Sequence, residues 1–215
     1  MRYKDYAFVS EIIYRHADKE MGESNRGGER FTNPLSTESL ALMEHLRGMG
    51  IPIMIHWEMY DWEKDARAFG EFFRRFPDQK FIIPHMGFGS PAQVSEILNR
   101  HDNVYMTISK RSVWLPAIKD RTKAAAAPPL SIVDESGKIT EEWKNTFTLF
   151  SGRLLFATDT HKNYLWEDYP DIIRRYRLLL GQLPGEIAEK IAHSNAEQLY
   201  NIQTGADGLQ PPRSK

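Results

Sequence analysis

IPIMIHWE, residues 51–58, is a short apolar run that stops on a histidine, His56. Two later segments end in the same manner, KFIIPHMG (80–87) on His85 and RLLFATDT (153–160) on Asp159. An apolar run of this length, bounded by turn residues, reads as a strand buried on both faces, the kind that parallel sheets contain. One such histidine would ordinarily be a satisfied, partly buried imidazole, and one such aspartate an N-cap or turn residue. Three strands in order, each ending in a side chain able to hold zinc, are harder to explain as separate accidents. They suggest a metal-dependent hydrolase.

Side chains alternate along a strand, so His56 shares a face with Met54 while Ile51, Ile53 and Ile55 take the other. In the run 103–109, Val104, Met106 and Ile108 face one way and Tyr105, Thr107 and Ser109 the other. An apolar outer face and an increasingly polar inner one suit a barrel that places its chemistry at the carboxyl ends of its strands. Strands are expected at 6–13, 51–57, 80–86, 103–109 and 153–159. Helical periodicity marks 36–47, 62–76, 91–100, about 140–150, the stretch around Ile172 to Leu180, and a last helix opened by Pro184. Residues 111–152 are an enlarged connection with an alanine run, Pro128-Pro129 and a turn at 134–137. This pattern predicts one α/β domain over 1–202 and a disordered tail, 203–215.

Composition agrees with a single core: 215 residues, 41% hydrophobic and 12% aromatic. The 28 basic and 29 acidic residues cancel, so no field draws the chain to nucleic acid or an anionic membrane. The chain has no cysteine, which excludes disulfides, thiolate ligands and a cysteine nucleophile. Any metal site must therefore use histidines and carboxylates. MRYKDYAFVSEII lacks the long apolar region of a signal peptide, and no run approaches the roughly 20 residues that span a bilayer. A soluble, cytoplasmic protein with a small-molecule substrate is expected.

Taken in order, IHWE, IPHMGFG, NVYMTIS, RLLFATD and IAHSNAEQLY resemble the amidohydrolase superfamily of metal-dependent hydrolases, in its decarboxylase-like and lactonase-like branch. The resemblance covers about residues 6–202. It implies a (β/α)8 TIM-barrel-like fold in which His56 matches the fifth-strand histidine, His85 the sixth-strand histidine and Asp159 the eighth-strand aspartate. It makes His56, His85 and Asp159 metal ligands, His85 and Asp159 catalytic, and the cofactor a divalent metal, zinc by preference. Zinc lowers the pKa of its bound water to about 7, which would supply hydroxide at neutral pH.

Glu11 matches a variable acidic or lysine position of the family's fourth strand, or is a plain surface carboxylate. Arg15 and His16, and likewise Ser109, Lys110 and Arg111, follow strands and could reach a substrate carboxylate at the mouth, solvated loop charges being the plainer reading. Trp57 and Phe88 would line an apolar pocket or pack under the loops. Glu58 and His161 lie just beyond strand ends, where such residues need no chemistry. His45, His101 and His193 are read as structural.

The family's first strand carries a His-x-His pair, which this sequence lacks, and only five strands can be placed where eight are required. The expectation is an incomplete barrel of about five βα units that begins near strand four. Its uncovered sheet edges would favour association, a homo-oligomer being the simplest form. Two functions follow. One is a metal-dependent hydrolase or decarboxylase acting on a small carboxylate, lactone or amide through a metal-activated water. The other is a catalytically incompetent barrel fragment or pseudoenzyme that needs another chain or the missing strands. A phosphate-binding module is a weaker third, since GFG at 87–89 is too short for its glycine-rich loop.

Overall fold

Each apolar run identified above forms a strand, and the strands lie side by side in the order in which the chain makes them. The computed structural model describes residues 7–16, 30–109, 131–160, 163–205 and 208–210, the last segment and 203–205 as backbone only. Its strands are β1 (Val9–His16), β2 (Arg30–Phe31), β3 (Ile53–Trp57), β4 (Phe81–Ile83), β5 (Val104–Thr107) and β6 (Leu154–Leu155). They form one open sheet, β2-β1-β3-β4-β5-β6. All neighbours from β1 to β6 are parallel, and β2 adds an antiparallel pair at the edge of β1. Helices occupy the connections, as parallel pairing requires: α1 (Thr37–Arg47), α2 (Trp62–Arg75), α3 (Pro91–Arg100) and α4 (Glu141–Leu149). Beyond the sheet follow α5 (Asn163–Glu167), α6 (Tyr169–Leu180), α7 (Gly185–Glu189) and α8 (Asn195–Leu199), the last two joined by a π-helical turn, Lys190–Ser194.

The core lies between the isoleucine face of β3 and the amphipathic helix α2. Ile53, Ile55 and Trp57 are fully buried, as are Phe69, Phe72 and Phe73 of α2. Trp57 stacks on Phe69 with 4.1 Å between ring centroids, so it packs under a helix and does not line a pocket. Burying each such phenylalanine is worth about 1.5–3 kcal/mol. Glu63 and Asp65 in the first turn of α2 and Arg74 and Arg75 in its last complement the helix dipole. Asn103, just before β5, donates to the Phe73 and Phe76 carbonyls at 3.0 and 2.9 Å, adding to the backbone donors Phe76 and Gln79 that close the helix end.

Helix α3 starts at a capping box. Ser90 Oγ accepts from the Gln93 N–H at 3.3 Å, and Gln93 Oε1 accepts from the Ser90 N–H at 2.8 Å. Pro91 follows at a position that needs no donor. Ser90→Ala should therefore lower stability by about 1 kcal/mol, read as a fall in the thermal midpoint that Ser90→Asp restores.

Strand ends depart from the sequence reading more than strand centres do. β1 runs three residues further than expected, and its pairing with β3 shifts register between Val9 and Ile12 and again between Ile13 and Arg15. β4 stops at Ile83 because Pro84 has no N–H to give a ladder and the chain turns at once. The tail expected to be disordered contains a short antiparallel pair, β7 (Gln203–Gly205) and β8 (Gly208–Gln210). Among the described residues, no helix is long and apolar enough to cross a membrane.

Candidate metal centre

β1 carries Glu11 at mid-strand and β3 carries His56 one residue from its end. The turn after β4 carries His85, and the extended segment after β6 carries Asp159. Both of the last two have left-handed backbone, with φ of 59° at His85 and 51° at Asp159. In the first case the whole turn His85-Met86-Gly87 is left-handed. Past the end of β4 a side chain takes over as acceptor: the His85 N–H donates to Thr107 Oγ1 at 3.1 Å. Conformations of this kind in non-glycine residues cost about 1–3 kcal/mol and persist where surrounding structure enforces them.

The two imidazoles meet at one carboxylate oxygen. His56 Nδ1 hydrogen-bonds Glu11 Oε1, and His85 Nε2 stands 4.0 Å from the same oxygen. Asp159 Oδ2 lies 3.7 Å from His85 Nε2. The ring nitrogens that point away are also engaged, His56 Nε2 with Glu58 Oε1 at 2.8 Å and His85 Nδ1 with Ser109 Oγ at 2.9 Å. Phe88 stacks on His85 with ring centroids 4.8 Å apart. Burial opposes a charge on His56, but its hydrogen bonds to Glu11 and Glu58 and the charges of both carboxylates outweigh it. They hold the imidazole pKa above its ordinary value.

Glu11, His56 and His85 present ligand atoms that all lie within 4.8 Å of one another. Bonds of about 2.0–2.2 Å to a tetrahedral cation place donors roughly 3–4 Å apart, so to hold one the set must open the His56–Glu11 hydrogen bond while His85 stays near its present distance. Two imidazoles and a carboxylate are also the donor types that zinc accepts. The sequence-based trio is thus rearranged: His56 and His85 come together, Glu11 completes the group, and Asp159 joins it through His85.

Arg15 has a different place from the one expected. It is 1% exposed, with Nε and Nη2 on the two oxygens of Asp65 at 2.7 and 2.6 Å and the Phe31 ring 4.0 Å below the guanidinium. It lies near the carboxyl end of β1, paired with the first turn of α2. Sequence reasoning missed Asp65, although a signal was present: it falls on the same helical stripe as Phe69, Phe72 and Phe73, where a charge needs a buried partner. Lys110, Arg111 and His161 lie outside the described residues.

A parallel α/β sheet, open at its edges, with its candidate site at the carboxyl ends of the strands is consistent with part of a TIM barrel. The amidohydrolase family model matches residues 20–202, and the chain belongs to that family. The fold is similar to a protein from Pseudomonas putida provisionally assigned as a 2-pyrone-4,6-dicarboxylic acid hydrolase. The identity is 11%, over 90% of this chain and 63% of that one, with a TM-score of 0.56. It is also similar to an uncharacterised TIM-barrel protein from Bordetella bronchiseptica, at 15% identity over 79% of this chain and 52% of that one, TM-score 0.53. The chain thus spans between 52% and 63% of the length of these structures. At such identities the likeness is one of fold. No curated protein matches the sequence.

Proposed function

We propose that this chain is a metal-dependent hydrolase whose cation is held by His56, His85 and Glu11, with Asp159 as the proton acceptor beside them. The observation that carries the reading is the meeting of His56 Nδ1 and His85 Nε2 at a single carboxylate oxygen, Glu11 Oε1. A divalent ion, zinc by preference, supplies in such a site a bound water with a pKa of about 7. Glu11 and the two imidazoles hold and orient. Asp159, about a third exposed and close to His85 Nε2, would serve as the proton acceptor, and Phe88 flanks the place where substrate would lie.

The substrate class is a small carboxylate, lactone or amide. The lactone is favoured, because one of the similar folds is provisionally named for hydrolysis of a pyrone dicarboxylate, a cyclic ester. A second reading, favoured by the open sheet, is a chain that binds the ion but turns over substrate only when another chain completes the barrel.

Metal analysis of the purified protein tests the first reading. One zinc per chain is expected, lost in His56→Ala and in His85→Ala while the fold persists by circular dichroism. Zinc-free wild-type protein that does not take up added Zn2+ would sink it. Stoichiometric zinc without hydrolysis of pyrone carboxylates, simple lactones or amides favours the second reading.

A further inference from the structure

His56 stands between two donor groups. On its Nδ1 side is Glu11, with His85 and Asp159 beyond it; on its Nε2 side is Glu58, and His16, His56 and Glu58 form a second group whose ligand atoms lie within 4.8 Å of one another. A neutral imidazole has one lone pair for a cation and one N–H, so it can serve only one of these groups at a time. Whichever nitrogen keeps the hydrogen decides where the cation sits.

We infer that Glu58 is the positioning residue that makes this choice, keeping the hydrogen on His56 Nε2 and presenting Nδ1 to the cation. The inference rests on the function proposed above and deepens it. Three observations support it. Glu58 follows the end of β3, its side chain is 3% exposed, and its Oε1 is 2.8 Å from Nε2, a good hydrogen-bond length. With the Nδ1 lone pair and Glu11 both turned to the cation, a neutral His56 keeps its one hydrogen on Nε2, where the Glu58 carboxylate accepts it. The Nδ1 side also offers more: a second imidazole on the same carboxylate oxygen and a second carboxylate 3.7 Å further on.

The other histidine is held by the same device. His85 Nδ1 faces Ser109 Oγ at 2.9 Å, and Ser109 in turn meets Thr107 Oγ1 at 2.8 Å. Those hydroxyls can run in either direction and do not fix a tautomer alone, whereas the carboxylate of Glu58 can only accept. Carboxylates that receive the free N–H of a ligating histidine typically set metal affinity within a factor of about 10–100.

The experiment uses Co2+ as a visible-absorbing probe, titrated into the metal-free full chain. Glu58→Ala should bind Co2+ about 10–100-fold more weakly than wild type. Glu58→Gln, whose amide oxygen still accepts from Nε2, should recover most of the loss, and His16→Ala should match wild type. In the Zn2+-loaded protein, ring nitrogen NMR should show His56 protonated at Nε2 and metal-bound at Nδ1. This NMR readout decides the matter even if Glu58→Ala fails to fold. Wild-type affinity in both Glu58 variants, with His56→Ala inactive in binding, overturns the inference and leaves the proposed function standing. Loss of Co2+ in His16→Ala, or a proton found on Nδ1, places the cation on the opposite side and overturns it too. No Co2+ binding by wild type removes both readings together.

Discussion

Asp65→Ala is expected to destabilise the protein by about 3–5 kcal/mol, the cost typical of breaking a buried ion pair from one side. Arg15 and Asp65 are each 1% exposed, and two short hydrogen bonds join the guanidinium fork to both carboxylate oxygens. Removing the carboxylate deprives a desolvated guanidinium of its bidentate partner. Asp61 stands 3.8 Å away but is more than a third exposed and meets only one nitrogen. The pair joins β1 to α2, so its loss also loosens the strand that carries Glu11. Urea denaturation reads the effect as a fall in midpoint at constant slope. The double replacement Arg15→Met with Asp65→Leu should recover much of the loss, since apolar pairs of similar volume often replace buried ion pairs at little cost. A single-variant loss below about 1 kcal/mol would mean that the pair behaves like a surface one.

Gly87→Ala should cost about 2–5 kcal/mol, combining left-handed backbone strain with overpacking. Gly87 has φ of +58°, and a Cβ there would lie 2.8 Å from the Trp57 carbonyl oxygen and 2.7 Å from Met59 Cε. The methionine can yield, but the Trp57 carbonyl belongs to β3 and cannot move without disturbing His56 beside it. The same turn carries His85, so zinc affinity should fall together with stability. Gly137→Ala is the control. Its φ is also positive, at +80°, but nothing lies within 4 Å of the added carbon. It should show only the backbone cost of about 1–2 kcal/mol and unchanged zinc binding.

Strand centres were legible because a parallel strand is apolar on both faces, and Ile53, Ile55, Phe81, Ile83, Val104 and Met106 state that directly. Helices α2 and α3 were equally plain from their periodicity and their proline and serine boundaries. The histidines were legible as strand-end residues for the same reason. Glu11 and Arg15 were read only as open alternatives, a site group or a plain surface charge, because period-two reasoning fails where a strand shifts register, and β1 does so twice. Arg15 is neither solvated nor on a loop but the most buried charge described on β1. The place of Asp159 escaped for a different reason: β6 pairs through only two residues, and the segment beyond it follows local backbone preferences that a residue pattern does not record. The pairing of Glu58 with His56 was out of reach too, since it depends on side-chain rotamers two residues apart at a strand end.

The sheet order has a consequence for how the site comes into being. β3, β4 and β5 are joined by closures of roughly 25 residues, whereas β1 to β3 and β5 to β6 each require roughly 45, and longer closures cost more chain entropy. The candidate site is therefore closed across two scales of the chain: its histidines sit on the block of short returns, whereas Glu11 and Asp159 come from the strands at the ends of the two long ones, so the carboxylates depend on long-range pairing more than the imidazoles do.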